Sequence, residues 1–366
     1  MKTLFFILLN LLLTGFIPSS EVTLKDAFEE DFLIGAAVSY GQADGQDQKS
    51  RALLKKHFSS ITSENMLKWG PVHPELGQYN FAAADNFVQL GLDNDLFIIG
   101  HTLVWHQQIP EWVFENEPGK PLGRQDLLNR MENHINTVAG RYRDEINGWD
   151  VVNEALEDDG SLGETKWLEI IGEDYLEKAF TFAKKAAPEA ELYYNDYNLW
   201  KPEKREGAVR LVKSLLEKGI RVDGIGMQGH YSLTHPEIAQ VEASIIAFSE
   251  LGLKVMITEL DVDVLPRRGS AGADLNSRDD GADSFNPYTE GLPDEVHQQL
   301  AKRYAELFTL FHKHRDKISR VTLWGVTDAN SWLNNWPVRE RTNYPLLFDR
   351  LGQPKPAFEA VISVAE

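Results

Sequence analysis

Eight short apolar runs recur along the chain, and most are followed by a stretch with apolar residues at three- and four-residue spacing. The runs cover residues 33–38, 60–64, 96–103, 146–152, 191–195, 224–228, 254–258 and 321–325. Runs of this length with little alternation predict strands buried on both faces, as in a parallel sheet. Between them, residues 205–218, 236–251 and 294–314 predict amphipathic helices, with Gly219 and Gly252 suited to C-terminal stops. Eight strand-then-helix units predict an α/β fold closed as a (β/α)8 TIM barrel rather than an open sheet. No repeat of solenoid period and no long Pro- or Ser-rich linker divides the chain, so residues 21–366 read as a single domain.

Residues 1–20 fall outside that pattern. Met1 and Lys2 precede an apolar run over 4–13, and Gly15, Pro18, Ser19 and Ser20 follow. A charged start, a short apolar centre and a small-residue exit predict a signal peptide, and hence a secreted product, extracellular or periplasmic. The run is too short for a membrane anchor.

Composition narrows the chemistry. The 366 residues include no cysteine, which excludes disulfides, thiol catalysis and thiolate metal sites. Asp and Glu number 56 against 37 Lys and Arg. Such an anionic surface repels phosphate backbones and anionic lipid, which argues against nucleic acid and membranes as partners, and a monomer is expected. Nine tryptophans, several beside polar residues at strand ends, point instead to flat apolar platforms of the kind that stack on sugar rings.

The strand ends carry the strongest signal. Trp149-Asp150-Val151-Val152-Asn153-Glu154 and Val255-Met256-Ile257-Thr258-Glu259 each run from apolar residues into an ionisable one. In a (β/α)8 barrel, that end of a strand is the catalytic face. Two carboxylates delivered there from different strands are the minimum machinery for cleaving a glycosidic bond, one to protonate the leaving oxygen and one to attack or to activate water. Other strands end comparably, in Glu64-Asn65-Met66-Leu67-Lys68, His101 to Trp105, Asn195-Asp196-Tyr197, Gln228-Gly229-His230, and Trp324 with Trp332 beyond it. Polar and aromatic side chains converging on one rim suit a hydroxyl-rich ligand that needs many directional hydrogen bonds.

Taken in order, the segments 62–69, 101–106, 149–155, 195–198, 226–230, 257–261 and 324–328 resemble the motif set of the family 10 glycoside hydrolases, the endo-β-1,4-xylanases. The resemblance runs from about Ile34 to Phe358. It implies a retaining, cofactor-free hydrolase of xylan and xylo-oligosaccharides, with Glu154 as acid/base and Glu259 as nucleophile. It also implies that His230 lies between Glu259 and Asp261, that Glu64, Asn65 and Lys68 bind the sugar one step beyond the attacked one, and that His101, Trp105, Gln228, Trp324 and Trp332 surround the attacked sugar. Tyr197 resembles an aromatic on the leaving-group side. The Asn153 amide suits the 2-hydroxyl of the attacked sugar, and the two glutamates need environments that push their pKa values apart. Trp324 and Trp332 are candidates for a wall at C5 that excludes a hydroxymethyl group and favours xylose over glucose.

Two alternatives remain open from sequence: a barrel with both glutamates but specificity for β-1,4-glucan, and a sugar-binding protein without catalysis. Metal is not expected. His101 and His106 have neither helical nor same-face strand spacing for zinc, and the run 274–281 has the wrong ligand spacing and lacks the late glutamate of a calcium loop. The long Gly-, Asp- and Ser-rich segment 266–293 leaves the catalytic end of its strand, which suits either a flap over the cleft or a surface loop.

Overall fold

The computed structural model describes residues 22–266 and 286–366. The leader over 1–20 and the acidic run 274–281 lie outside the described residues, as does most of the segment after the seventh strand.

Eight parallel strands form the barrel: β1 Leu33–Val38, β2 Ser60–Ser63, β3 Phe97–Val104, β4 Gly148–Asn153, β5 Glu191–Asp196, β6 Gly224–Met227, β7 Lys254–Asp263 and β8 Ile318–Leu323. Neighbours in sequence pair in register, and closure is direct, since Ile34 of β1 stands opposite Val321 of β8. The expected (β/α)8 architecture is therefore present, with the limits of β1 as expected and other strand limits shifted by at most five residues. The largest shift is at β7, which continues past Thr258 to Asp263 because a further short strand, His230–Ser232, pairs with its extension. Register Asp261↔His230 follows from that pairing.

The amphipathic helices form where the periodicity places them: Pro202–Glu217, Ile238–Ser249 and Asp294–Lys313. Gly219 and Gly252, at φ 73° and 76°, take the left-handed turn that ends a helix without a Cβ clash. Inside the barrel, Ile99, Tyr193 and Met256 pack together. They come from β3, β5 and β7, the alternate strands that fill one layer of such a barrel. This layer makes the barrel a solid support, so strand ends project fixed side chains at its mouth.

Trp69, Trp149 and Trp167 are structural. All three are buried; Trp69 stacks on His134 with centroids 3.6 Å apart, and Trp167 Nε1 donates to the Trp105 carbonyl at 2.9 Å. Residues 286–293 pack against the loop after β8, where Thr342 N donates to Asn286 Oδ1 and Tyr344 Oη donates to the Tyr288 carbonyl. Among the described residues no helix is long and apolar enough to cross a membrane.

Candidate active site

One cleft at the C-terminal mouth of the barrel gathers Glu64, Asn65, Lys68, His101, Trp105, Asn153, Glu154, Gln228, His230, Glu259, Trp324 and Trp332, around a cavity of about 150 Å³. Tyr197 lines an adjoining depression that shares Gln228 and His230 with the cleft. Of the candidate site residues read from sequence, Asp261 alone lines neither depression. It is fully buried behind His230.

Glu154 sits just past β4 with φ 57°, a left-handed conformation unusual for a residue with a Cβ. Its amide donates to the Asn195 carbonyl at 2.9 Å, so the end of β5 holds the turn. Trp105 Nε1 donates to Glu154 Oε2 and Gln228 Nε2 donates to Oε1, each at 2.8 Å. Burial nevertheless dominates. It raises the Glu154 pKa above the usual carboxylate range, Glu259's charge adds to the rise, and the hydrogen bonds from Gln228 and Trp105 only partly oppose it.

Glu259 lies inside the extended β7 and is treated differently. Burial alone would raise its pKa, but His230, the charge of His101 and the Asn195 amide together pull it below the usual value. His230 Nε2 is 3.1 Å from Glu259 Oε2, and Asn195 Nδ2 donates to Glu259 Oε1 at 2.8 Å. On the other side of the ring, His230 Nδ1 stands 3.1 Å from Asp261 Oδ1. Burial disfavours the imidazolium, yet the two carboxylates outweigh it and lift the His230 pKa to about 9. Asp261 in turn accepts from Trp332 Nε1 at 2.7 Å, which fixes that indole over the site.

Amide orientation is set by a chain of donors. Thr258 Oγ1 donates to Asn195 Oδ1 at 2.6 Å, so the Asn195 NH₂ faces Glu259 and Asn153. Asn153 Oδ1 accepts from it at 2.8 Å, which leaves the Asn153 NH₂ as the end available to a ligand. Gly226 permits this arrangement, because a Cβ there would come within 2.3 Å of Asn195 Oδ1. His101 is held from below by Asp150, with Nδ1 2.9 Å from Oδ2, and Trp324 meets its ring edge-on at 5.5 Å.

The loop after β2 supplies the remaining charges. Lys68 Nζ donates to Asn65 Oδ1 at 3.0 Å. Burial lowers the Lys68 pKa despite the attraction of Glu259, Glu64 and Glu154, and burial likewise raises that of Glu64. His106 packs edge-on against Trp105 rather than entering the cleft. Among the described residues no group of three or more His, Asp or Glu is placed to hold a metal ion.

Gln108, Asn195, Thr258 and Asp150 also belong to the site or its support, although none is assigned a role by the sequence. Gln108 lines the cleft from an irregular turn at φ 48°, where no periodicity marks it. Asn195 was legible as a strand end, although its role between two other site residues was not.

The sequence profile of glycosyl hydrolase family 10 matches residues 23–364. An endo-1,4-β-xylanase A from Xylanibacter ruminicola is 40% identical over 359 residues, covering 98% of this chain and 97% of its own length. An endo-1,4-β-xylanase from Geobacillus stearothermophilus is 41% identical over 356 residues, covering 94% of this chain and 99% of its own. The solved structure of a novel GH10 endoxylanase retrieved from sugarcane soil metagenome superposes with a TM-score of 0.91 at 43% identity, covering 93% of this chain and 99% of that one. Matched over nearly its whole length, the chain belongs to glycosyl hydrolase family 10.

Proposed function

We propose that this chain is an endo-1,4-β-xylanase that cleaves internal bonds of xylan by retaining double displacement, with Glu154 as acid/base and Glu259 as nucleophile. The observation that carries the assignment is the different surroundings of two buried carboxylates on one cleft. Among the described residues Glu154 accepts only from the neutral Trp105 and Gln228, while Glu259 meets the His230 ring and the Asn195 amide, so burial raises the first pKa and these partners lower the second. A raised pKa keeps a proton on Glu154 for the leaving oxygen, while a lowered one keeps Glu259 ionised for attack.

In the first step Glu259 bonds to the anomeric carbon as the glycosidic C–O bond breaks, and the Glu154 proton passes to the departing sugar. Glu154, now a carboxylate, takes a proton from water, whose oxygen displaces Glu259 and restores the starting β-configuration. Asn153 donates to the 2-hydroxyl, a bond that strengthens as positive charge develops on the ring. Glu64, Asn65 and Lys68 bind the next sugar on one side and Tyr197 meets the leaving group on the other, which gives a cleft crossed by a polymer rather than a pocket for its end. Trp324 and Trp332 close the C5 side. The relatives named above as xylanases support xylan as the substrate. We further propose that the chain works as a monomer, without cofactor, after export directed by residues 1–20.

Hydrolysis of linear xylohexaose followed by proton NMR tests this reading. Shorter xylo-oligosaccharides with the β-anomer formed first are expected; first-formed α-anomer, or release of xylose alone, overturns it.

A further inference from the structure

Below the leaving-group side of the cleft lies an ion pair that the chemistry above does not use. Lys204, in the first turn of helix Pro202–Glu217, and Asp196, the last residue of β5, are both fully buried, with Nζ 2.9 Å from Oδ1. Replacing a buried ion pair with apolar residues of similar volume is commonly neutral or stabilising, so stability alone is a weak reason for its presence.

The contacts around the pair point to geometry. Asp196 Oδ2 accepts from Leu156 N, two residues after Glu154, at 3.3 Å, and from the Tyr194 hydroxyl. The Asp196 carbonyl accepts from Gln228 N at 3.1 Å, and the Gln228 side chain is one of the two donors to Glu154. Asp196 Oδ1 also accepts from Tyr197 N at 2.8 Å, while Lys204 Nζ lies 3.5 Å from the Tyr197 ring centre. The helix that carries Lys204 is itself locked to the loop after Glu154, since a Cβ on Gly207 would come 2.5 Å from Gly160 Cα.

We infer that Asp196 and Lys204 are positioning residues, which hold the Glu154 turn and the Tyr197 ring in one register so that the proton donor meets the leaving oxygen. The left-handed turn at Glu154 is gripped on both sides, by the Asn195 carbonyl at Glu154 N and by Asp196 at Leu156 N. Without Lys204, the buried carboxylate takes up a proton and loses acceptor capacity at the positions where Leu156, Tyr194 and Tyr197 donate. The turn then relaxes and proton delivery fails first.

The inference rests on Glu154 as the acid, and leaving-group dependence reads it directly. Lys204→Met and Asp196→Asn are compared with the wild type on xylan and on 2,4-dinitrophenyl β-xylobioside, whose leaving group needs no proton. Each variant is expected to lose roughly tenfold or more of kcat/KM on xylan while glycosylation by the activated substrate stays within about threefold. Asp196→Asn keeps the shape of the residue, so it carries the test should Lys204→Met not fold. Parallel losses on both substrates, or unchanged xylan activity, overturn the positioning role. A wild type inactive on both substrates overturns the proposed function instead.

Discussion

His230 Nε2 stands 3.1 Å from Glu259 Oε2, and the imidazole that makes this contact is itself held charged by Asp261 on its far side. The pair explains why one of two equally buried carboxylates is the stronger acid. Under the proposed roles Glu259 must be ionised and Glu154 protonated, so the acid limb of the kcat/KM profile is expected to follow the lowered Glu259 and the alkaline limb the raised Glu154. His230→Asn removes the leading interaction that opposes burial of Glu259. The acid limb should move to higher pH, as read from initial rates on an aryl xylobioside; an unmoved limb would assign the depressed pKa to other groups.

The same histidine sets a stability dependence of determined sign. Its pKa in the fold, about 9, exceeds the unfolded value of 6.5. The folded state therefore binds the extra proton, and the contribution is complete below pH 6.5 and lost as pH rises through about 9. Melting curves across pH 6 to 10 should show a fall in Tm over that window that is smaller in His230→Asn, and equal falls in both proteins would exclude this linkage.

Removal of the acid has a separate signature. Glu154→Ala should lower xylan hydrolysis by about 10²–10⁴, while an aryl xyloside with a good leaving group still forms the glycosyl-enzyme. Azide, small enough for the vacated space and needing no base, should restore turnover and give a β-glycosyl azide. An α-azide, or rescue confined to Glu259→Ala, would reverse the two roles.

Both glutamates were legible in sequence because each interrupts an apolar run at a strand end, a place where a lone charge is too costly to persist without function or a partner. The supporting shell was less visible for physical reasons. Asp150 lies within an apolar strand and reads as part of it until the fold brings His101 to it across the neighbouring strand. Lys204 stands one residue before the helix read from sequence, 205–218, and is hidden as a candidate because a lysine reads as solvated, although it falls on the helix's buried face with Gly207, Ala208, Val212 and Leu215, where it meets Asp196 of β5. Asp150 and His101 lie 49 residues apart and meet only when β3 and β4 pair, whereas Asp196 and Lys204 are brought together by the short turn from β5 into the following helix. The seventh strand was read short because its last residues pair with His230–Ser232, a segment of three residues with no pattern of its own. Tryptophans pose the converse problem: Trp69, Trp149 and Trp167 share their composition signal with Trp105, Trp324 and Trp332, and only the fold separates them, since Trp105 and Trp324 are also buried but line the cleft.

Specificity at C5 is open to a ratio measurement. Trp332 is fixed by Asp261 and stacks on Trp336 with centroids 4.8 Å apart, while Trp324 rests edge-on against His101. Rigid walls exclude an extra group more strongly than mobile ones. Trp332→Ala or Trp324→Ala should raise the ratio of cellobioside to xylobioside activity even as both rates fall. The same ratio in both variants as in the wild type would remove them from the wall.

Acid sensitivity should originate at groups other than the two glutamates. His73 Nδ1 and His134 Nδ1 lie 3.2 Å apart, an arrangement that two neutral rings satisfy with one donor and one acceptor. A proton on the acceptor ring would set two N–H groups against each other. Burial, with help from the Arg130 charge, lowers the His73 pKa to about 4; burial and the neighbouring His73 hold that of His134 well below the ordinary imidazole value. Unfolding exposes both rings to a pKa of 6.5, so the unfolded state binds more protons below that pH. The stability these neutral rings contribute is present above pH 6.5 and is lost as pH falls toward 4, by up to about 1.4 kcal/mol per pH unit for each proton taken up. His134→Phe keeps a flat ring beneath Trp69 and removes one titrating group. It should be the less stable protein at pH 7, because His73 loses its partner, but its Tm should fall less steeply between pH 7 and 5, narrowing the gap to the wild type. Curves that stay parallel across that range would place the acid-sensitive groups elsewhere.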